Sequence, residues 1–241
     1  MSGLPGLVAD TIPFSWVDGP GNRFVVFLQG CNLDCLACHN PHTIPLTSRR
    51  ARRMSADDVV DLVRPLSPYL SGVTVSGGEP TVQPAFVHAL FTAIAADSAT
   101  QPLSRFLDSN GMTPTQIWDE LLPVTDGVML DLKALDPAVH SRLTGHDNGP
   151  VLASIRRVAA AGLLHEVRLL LVPGQNDDDD TLRATADWLL GVDPTVRVKA
   201  IGFRQHGVRS PARHWPVAGD GMRERYGDLL TASGIREVLV V

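Results

Sequence analysis

Short apolar, β-branched runs alternate along the chain with longer segments in which apolar positions recur every three or four residues. The runs Phe24 to Leu28, Val73 to Ser76, Arg105 to Asp108, Gly127 to Asp131, Glu166 to Val172 and Val196 to Phe203 predict strands. Between them, Ser55 to Val63 opens with Ser-x-x-Asp, an N-capping signal, and Val87, Leu90, Phe91 and Ile94 lie at helical spacing. The acidic run Asp177 to Asp180 opens a further helical pattern toward Trp188; carboxylates there complement the helix dipole, so they are not read as metal ligands. Near-continuous apolar strands separated by amphipathic helices imply a parallel sheet covered by helices, with right-handed crossovers. About six such units make the fold class α/β, a partial (β/α)6 TIM-like barrel.

The polar punctuation follows the strands. Cys31 to Cys38 come after the first, Ser76-Gly77-Gly78-Glu79-Pro80 after the second, Asp108-Ser109-Asn110-Gly111 after the third and Asp131-Leu132-Lys133 after the fourth. In parallel α/β architectures the loops at the carboxyl ends of strands build the active site, so these motifs are expected on one face. Gly77 and Gly78 have no Cβ and admit close backbone approach to a ligand, although an ordinary turn also uses such a pair. Asp108 and Asp131 offer carboxylates to a cation, a hydroxyl or an ammonium, or else cap turns.

Cys31, Cys35 and Cys38 are the three cysteines of the chain. Three thiolates can hold three irons of a cubane cluster and leave the fourth open to a small molecule. A closed zinc site would need a fourth ligand, from His39 or His42, and lacks paired Cys-x2-Cys knuckles. An odd count and no secretory signal speak against a disulfide framework, and the compartment reads as reducing cytoplasm.

Composition adds bounds. A chain of 241 residues, 44% hydrophobic, can bury one full core, so residues 1–241 are read as a single domain. Its core spans about residues 12–203, followed by a C-terminal extension, 204–241. The net charge of -5 argues against nucleic-acid binding, and the basic run Arg49 to Arg53 reads as a solvated loop or a contact for an acidic partner. No stretch is long and apolar enough to span a bilayer, so a soluble protein is expected. Of the basic residues nineteen are arginine, which makes Lys133, inside a motif, stand out.

Taken together, Asp18-Gly-Pro-Gly-Asn-Arg23, Gln29-Gly-Cys31, Cys35, Cys38-His39-Asn40, Ser76-Gly-Gly-Glu79, Asp108-Ser-Asn-Gly111, Val128 to Lys133 and Val172-Pro-Gly174 resemble a known family. It is that of the radical S-adenosylmethionine (SAM) enzymes that activate glycyl radical enzymes, with the pyruvate formate-lyase activating enzyme as the familiar member. The match runs in order from about Ile12 to Phe203. Ile12 to Ser15, Leu143-Thr-Gly145 with Asp147-Asn148, and His206-Gly-Val208 are most similar to the YjjW-type branch, whose usual insert of ferredoxin-like cysteines this chain lacks.

The resemblance implies a radical SAM type of fold and a [4Fe-4S] cluster on Cys31, Cys35 and Cys38, whose open iron chelates SAM. It places Gly77, Gly78 and Glu79 at the methionyl amine, with Ala37, Cys38, His39 and Asn40, and Asp131, Leu132 and Lys133, lining the pocket. Asp108, Ser109 and Asp131 match positions where relatives hold a monovalent cation, and Arg168 matches a family arginine near the pocket. One departure is Arg204, which stands where relatives place a histidine on the SAM nucleoside; either Arg204 stacks there, or His206 takes the role from two residues on, on the same face if the strand continues.

The reaction implied is reductive cleavage of SAM to methionine and a 5'-deoxyadenosyl radical, which removes a glycine Cα hydrogen from a partner glycyl radical enzyme. An external flavodoxin or ferredoxin is the implied electron donor, and a monomer the implied state. Arg23, Arg168 and the Arg49 to Arg53 run are candidate partner contacts on charge alone. Three alternatives stay open: a radical SAM enzyme acting on a small metabolite or peptide, in the manner of 7-carboxy-7-deazaguanine synthase, a non-enzymatic iron-sulfur redox sensor, and a zinc-stabilised binding module.

Overall fold

The computed structural model describes residues 5–241. Its elements in chain order are β1 (Gly6–Ser15), β2 (Arg23–Leu28), β3 (Arg52–Met54), α1 (Ala56–Val63), β4 (Gly72–Gly77), α2 (Pro84–Ala96), β5 (Ser104–Ser109), α3 (Thr115–Leu121), β6 (Gly127–Asp131), α4 (Pro137–Thr144), α5 (Gly149–Ala160), β7 (Leu164–Leu171), α6 (Asp179–Val192), β8 (Arg197–Gly202), α7 (Asp220–Ala232) and β9 (Glu237–Val240). The six strands expected from the pattern are β2 and β4 to β8. Contacts divide the chain into two compact units: one runs to Asn32 and adds His42–Ser109 and Thr113–Met129, and the other comprises Leu33–Pro41, Asn110–Met112 and Leu130–Val241.

In the first unit the strand order is β3-β1-β2-β4-β5, with β1 antiparallel to both neighbours and β2, β4 and β5 parallel. The start of β6 follows β5, with Asp126 N–H donating to Arg105 O at 2.9 Å. The apolar side chains of β2 and β4 are buried almost without interruption, as sheet covered on both faces requires. The capping signal works as read: Ser55 Oγ accepts from Asp58 N–H at 3.1 Å, and the Asp58 carboxylate accepts from Ser55 N–H at 2.8 Å. Val87, Leu90, Phe91 and Ile94 form the buried face of α2.

Two expectations fail in this unit. Arg52 and Arg53 are not in a loop; they lie in β3, which pairs with Gly6 to Val8, and the side chains stay exposed. Arg23 is not a partner contact. It is fully buried, donating from Nε to Thr74 Oγ1 at 3.1 Å, from Nη1 to Ser104 Oγ at 2.6 Å and from Nη2 to the Val73 and Ser104 carbonyls at 2.8 and 3.0 Å. Its guanidinium carbon sits 4.5 Å from the centre of the Phe106 ring. Burial pushes its pKa down to about 10, against the pull of Asp126. The planar fork matches carbonyls and hydroxyls that a lysine could not satisfy together.

In the second unit β7, β8 and β9 are parallel, and the residue after β6 joins β7 through Leu132 N–H to Arg168 O at 2.9 Å. Helices α6 and α7 pack on each other, and α7 also packs on β8 and β9. Asp178 is the N-cap of α6, accepting from Thr181 N–H, so the acidic run does open a helix. Asp177 departs from that reading, because its carboxylate is buried and accepts from Gly174 N–H and the Tyr226 hydroxyl. The segment beyond 203 is structured, with α7 and β9 completing this unit; their patterns are too polar to stand out, and β9 alternates exposed and half-buried positions.

Candidate functional site

The first unit carries Cys31, Gly77, Gly78, Glu79, Asp108 and Ser109. Because β2, β4 and β5 are parallel, their carboxyl ends lie together, and hydrogen bonds lock them. Gly78 N–H donates to Leu28 O at 2.8 Å and Glu79 N–H to Gly30 O at 2.8 Å, while Cys31 N–H donates to Ile44 O at 3.0 Å. Both glycines are required by this crowding. A Cβ at Gly78 would meet Gly30 O at 2.1 Å, and one at Gly77, where φ is +123°, would meet Leu28 N at 2.1 Å. The structure makes the close approach of these glycines toward the strand that delivers Cys31.

Glu79 is fully buried, and its carboxylate accepts from Thr81 N–H at 3.0 Å, the Thr81 hydroxyl at 2.7 Å and the Ser109 hydroxyl at 2.8 Å. A buried carboxylate that accepts several hydrogen bonds is held in place. Asp108, half-buried, accepts from the Ser76 hydroxyl at 2.9 Å.

The second unit carries Cys35, Ala37, Cys38, His39, Asn40, Asp131, Leu132, Lys133, Arg168, Arg204 and His206. The cysteine loop is fixed through its backbone: Asp34 N–H donates to Thr144 O at 3.2 Å and Leu36 N–H to Leu143 O at 2.9 Å, using carbonyls that the end of α4 leaves over. Gly145, with φ +83°, ends that helix, which explains the Leu143-Thr-Gly145 string. Asn148, from the same string, donates to the Ala134 and Leu135 carbonyls at 3.2 and 2.6 Å.

Lys133 pairs with Asp131 at 2.6 Å. Burial alone would lower its pKa, but the charges of Asp131 and Cys35 outweigh it and hold the ammonium above the ordinary lysine value. Burial pushes the Cys35 thiol up to about 11 against the pull of Lys133, and raises Cys38 against the charges of Lys133 and Arg209. Arg168 is buried and paired with Glu166 at 2.9 Å, so it offers no exposed charge for a partner protein.

β8 stops at Gly202, so strand alternation does not reach Arg204 and His206; both lie in an exposed loop. The backbone of that loop meets the cysteine loop instead. His39 Nε2 lies 3.0 Å from Arg204 O, and its ring stacks near Phe203 with centroids 6.4 Å apart.

Residues that the sequence reading passed over hold this geometry. Asn176 donates to the Lys133 and Leu170 carbonyls at 2.7 and 2.8 Å and accepts from Val172 N–H at 2.7 Å, tying the end of β7 to the Lys133 turn. Its signal was the neighbouring Val172-Pro-Gly174 turn. Arg209 donates to the Asp34 and Cys35 carbonyls, each at 2.9 Å, and nothing in its sequence context distinguishes it among nineteen arginines.

All three cysteines are half-buried, and none is in a disulfide. Among the described residues no group of three or more His, Cys, Asp or Glu side chains is placed to hold a metal ion. A cubane does not need such convergence on one ion, since each of three irons takes its own thiolate, and three half-buried thiols within eight residues fit that kind of donor set. The radical SAM superfamily model matches residues 25–187. The chain belongs to that superfamily.

Within it, the chain belongs to the family of the pyruvate formate-lyase-activating enzymes. It is 35% identical over 209 residues to the pyruvate formate-lyase-activating enzyme of Streptococcus mutans, covering 85% of this chain and 80% of that one. Among solved structures, a domain of pyruvate-formate lyase-activating enzyme from Bacteroides vulgatus aligns at TM-score 0.57 and 24% identity, over 70% of this chain and 97% of that one. A radical SAM methyltransferase from Sphaerobacter thermophilus aligns at TM-score 0.65 and 19% identity, over 90% of this chain and 65% of that one. The fold is therefore that of the radical SAM enzymes, in the α/β class read from the sequence. As a radical SAM enzyme the chain uses the cofactors of its family, a [4Fe-4S] cluster and SAM. No helix among the described residues is long and apolar enough to cross a membrane.

Proposed function

We propose that this radical SAM enzyme installs a glycyl radical on a separate protein. Identity of 35% to a pyruvate formate-lyase-activating enzyme across most of both chains carries this reading. The three thiols within eight residues, none of them in a disulfide, support it. Cys31, Cys35 and Cys38 would hold the cluster. The chemistry that the reduced cluster would supply is one electron for reductive cleavage of SAM to methionine and a 5'-deoxyadenosyl radical, and the fate of that radical would be to take a glycine Cα hydrogen from the partner.

The protein's own groups bind and orient. The Lys133–Asp131 pair would meet the charged end of SAM, with Leu132, Ala37, His39 and Asn40 lining the same pocket and Arg168 near it. The backbone of Gly77 and Gly78, braced by the buried Glu79, would support the methionyl amine. Asp108, Ser109 and Asp131 would be the groups for a monovalent cation; the Ser109 hydroxyl donates its proton to Glu79, which leaves its oxygen lone pairs available. Glycine is the fitting target because its lack of a side chain lets a loop enter a narrow pocket. A flavodoxin or ferredoxin would supply the electron, and the enzyme would work as a cytoplasmic monomer on a transient partner.

The test is an anaerobic mixture of reconstituted enzyme, reductant, SAM and a candidate glycyl radical enzyme. An organic radical with glycyl-type hyperfine splitting is expected by electron paramagnetic resonance (EPR), and partner Gly→Ala should remove it. Deoxyadenosine formed at full rate on a small metabolite, with no partner present, would instead establish the small-molecule reading.

A further inference from the structure

The stretch after β8 is where the second unit grips the cysteine loop. Ala37 packs in one apolar cluster with Val172, Phe203, Val208 and Ala212. Gly207 has φ +79°, and a Cβ there would meet His39 O at 2.5 Å, so the two backbones are in near contact. Arg209 completes the grip. Its Nη2 donates to both Asp34 O and Cys35 O at 2.9 Å, and its Nη1 pairs with the Asp34 carboxylate at 2.7 Å. The Arg209 Nε is buried with no hydrogen-bond partner among the described residues, so the guanidinium is held for its fork toward the loop and not for its own satisfaction.

The loop is thus gripped from two sides. The end of α4 accepts its amides, and a cation from a segment more than 170 residues away in sequence takes its carbonyls, one of them that of Cys35. A fixed positive charge beside a ligand residue favours whichever state of the bound group is more negative, and hydrogen bonds and charge around a cluster set its reduction potential.

We propose that Arg209 is a positioning residue that holds the cysteine loop by its carbonyls and raises the electron affinity of the cluster the loop carries, with Asp34 as its counter-charge. This rests on the assignment of the cluster to Cys31, Cys35 and Cys38, and not on the identity of the partner. SAM cleavage would draw its electron from the reduced cluster, so a group that eases reduction would act on the first step.

The experiment is an EPR-monitored redox titration of the full-length reconstituted enzyme without any partner protein, with iron counted per chain. Arg209→Gln should make the cluster harder to reduce, so the reduced fraction at a fixed applied potential falls several-fold. Asp34→Asn removes the opposing charge and should shift the same fraction the other way, by less because the carboxylate is exposed. Arg209→Lys keeps the charge and should stay near wild type in potential while its EPR line shape broadens from a looser loop. If Arg209→Gln fails to hold iron, the opposite-sign shift in Asp34→Asn decides. Unchanged potentials in all variants, or shifts of the same sign from both charges, would overturn the proposal. Absence of a glycyl radical with the partner would overturn the proposed function while leaving these potentials readable.

Discussion

The Tyr226 hydroxyl donates to the Asp177 carboxylate at 2.9 Å, tying α7 to the turn before α6. Both side chains are buried, and Gly174 N–H and Arg225 also reach Asp177. Tyr226→Phe should therefore cost about 1–3 kcal/mol, the penalty of taking a donor from a buried charged acceptor. Burial, with Asp177 adding to it, raises the Tyr226 pKa above its ordinary value. Such a group stabilises the fold fully below its unfolded pKa of about 10 and loses that contribution as pH rises further. Urea unfolding at neutral pH and above pH ~10 should show the gap between wild type and Tyr226→Phe shrinking with alkalinity. A gap that stays constant would separate the hydroxyl from the titration.

Arg23→Lys should destabilise the first unit by about 2 kcal/mol or more, because the ammonium cannot serve Thr74, Ser104 and the Val73 carbonyl at once. Thermal unfolding checks this. Activation of a partner, measured per folded enzyme, should be unaffected, since the buried guanidinium presents no surface.

Gly78→Ala should disrupt the β4 end, as its Cβ would fall 2.1 Å from Gly30 O, one residue before Cys31. The expected result is loss of iron after reconstitution along with lower stability. Full iron content in a stable Gly78→Ala protein would show that the backbone there can give way.

Replacing Cys31, Cys35 or Cys38 by Ala should each abolish cluster assembly and SAM cleavage, because every iron needs its own thiolate. Anaerobic iron and sulfide analysis reads this directly. A triple Ala variant that still held four irons would refute the ligand set.

Arg204→Ala and His206→Ala separate two readings of the nucleoside contact. Both side chains are exposed, and the Arg204 carbonyl already meets His39. Loss of the residue that stacks on the nucleoside should weaken SAM binding by about 1 kcal/mol, or several-fold in Kd by equilibrium dialysis, with iron content unchanged. Equal affinity in both variants would remove the pair from the site.

The sequence by itself determined the strands β2 and β4 to β8, the α1 capping box and the cysteine motif, because each is written in neighbours along the chain: apolar runs, a Ser-x-x-Asp spacing, thiols four and three residues apart. It determined the family for the same reason, as ordered motifs survive without knowledge of packing. It did not show that Arg23 is core and not surface, since an arginine's burial depends on carbonyls and hydroxyls brought by Val73, Thr74 and Ser104 from other strands. Nor could alternation place Arg204 and His206 once β8 ended at Gly202. Only the tertiary structure set Asp177 against Tyr226 and Arg209 against the Cys35 carbonyl. Those contacts join segments far apart in the chain, and hydrogen-bond geometry between such segments exists only after the strands and helices have been packed.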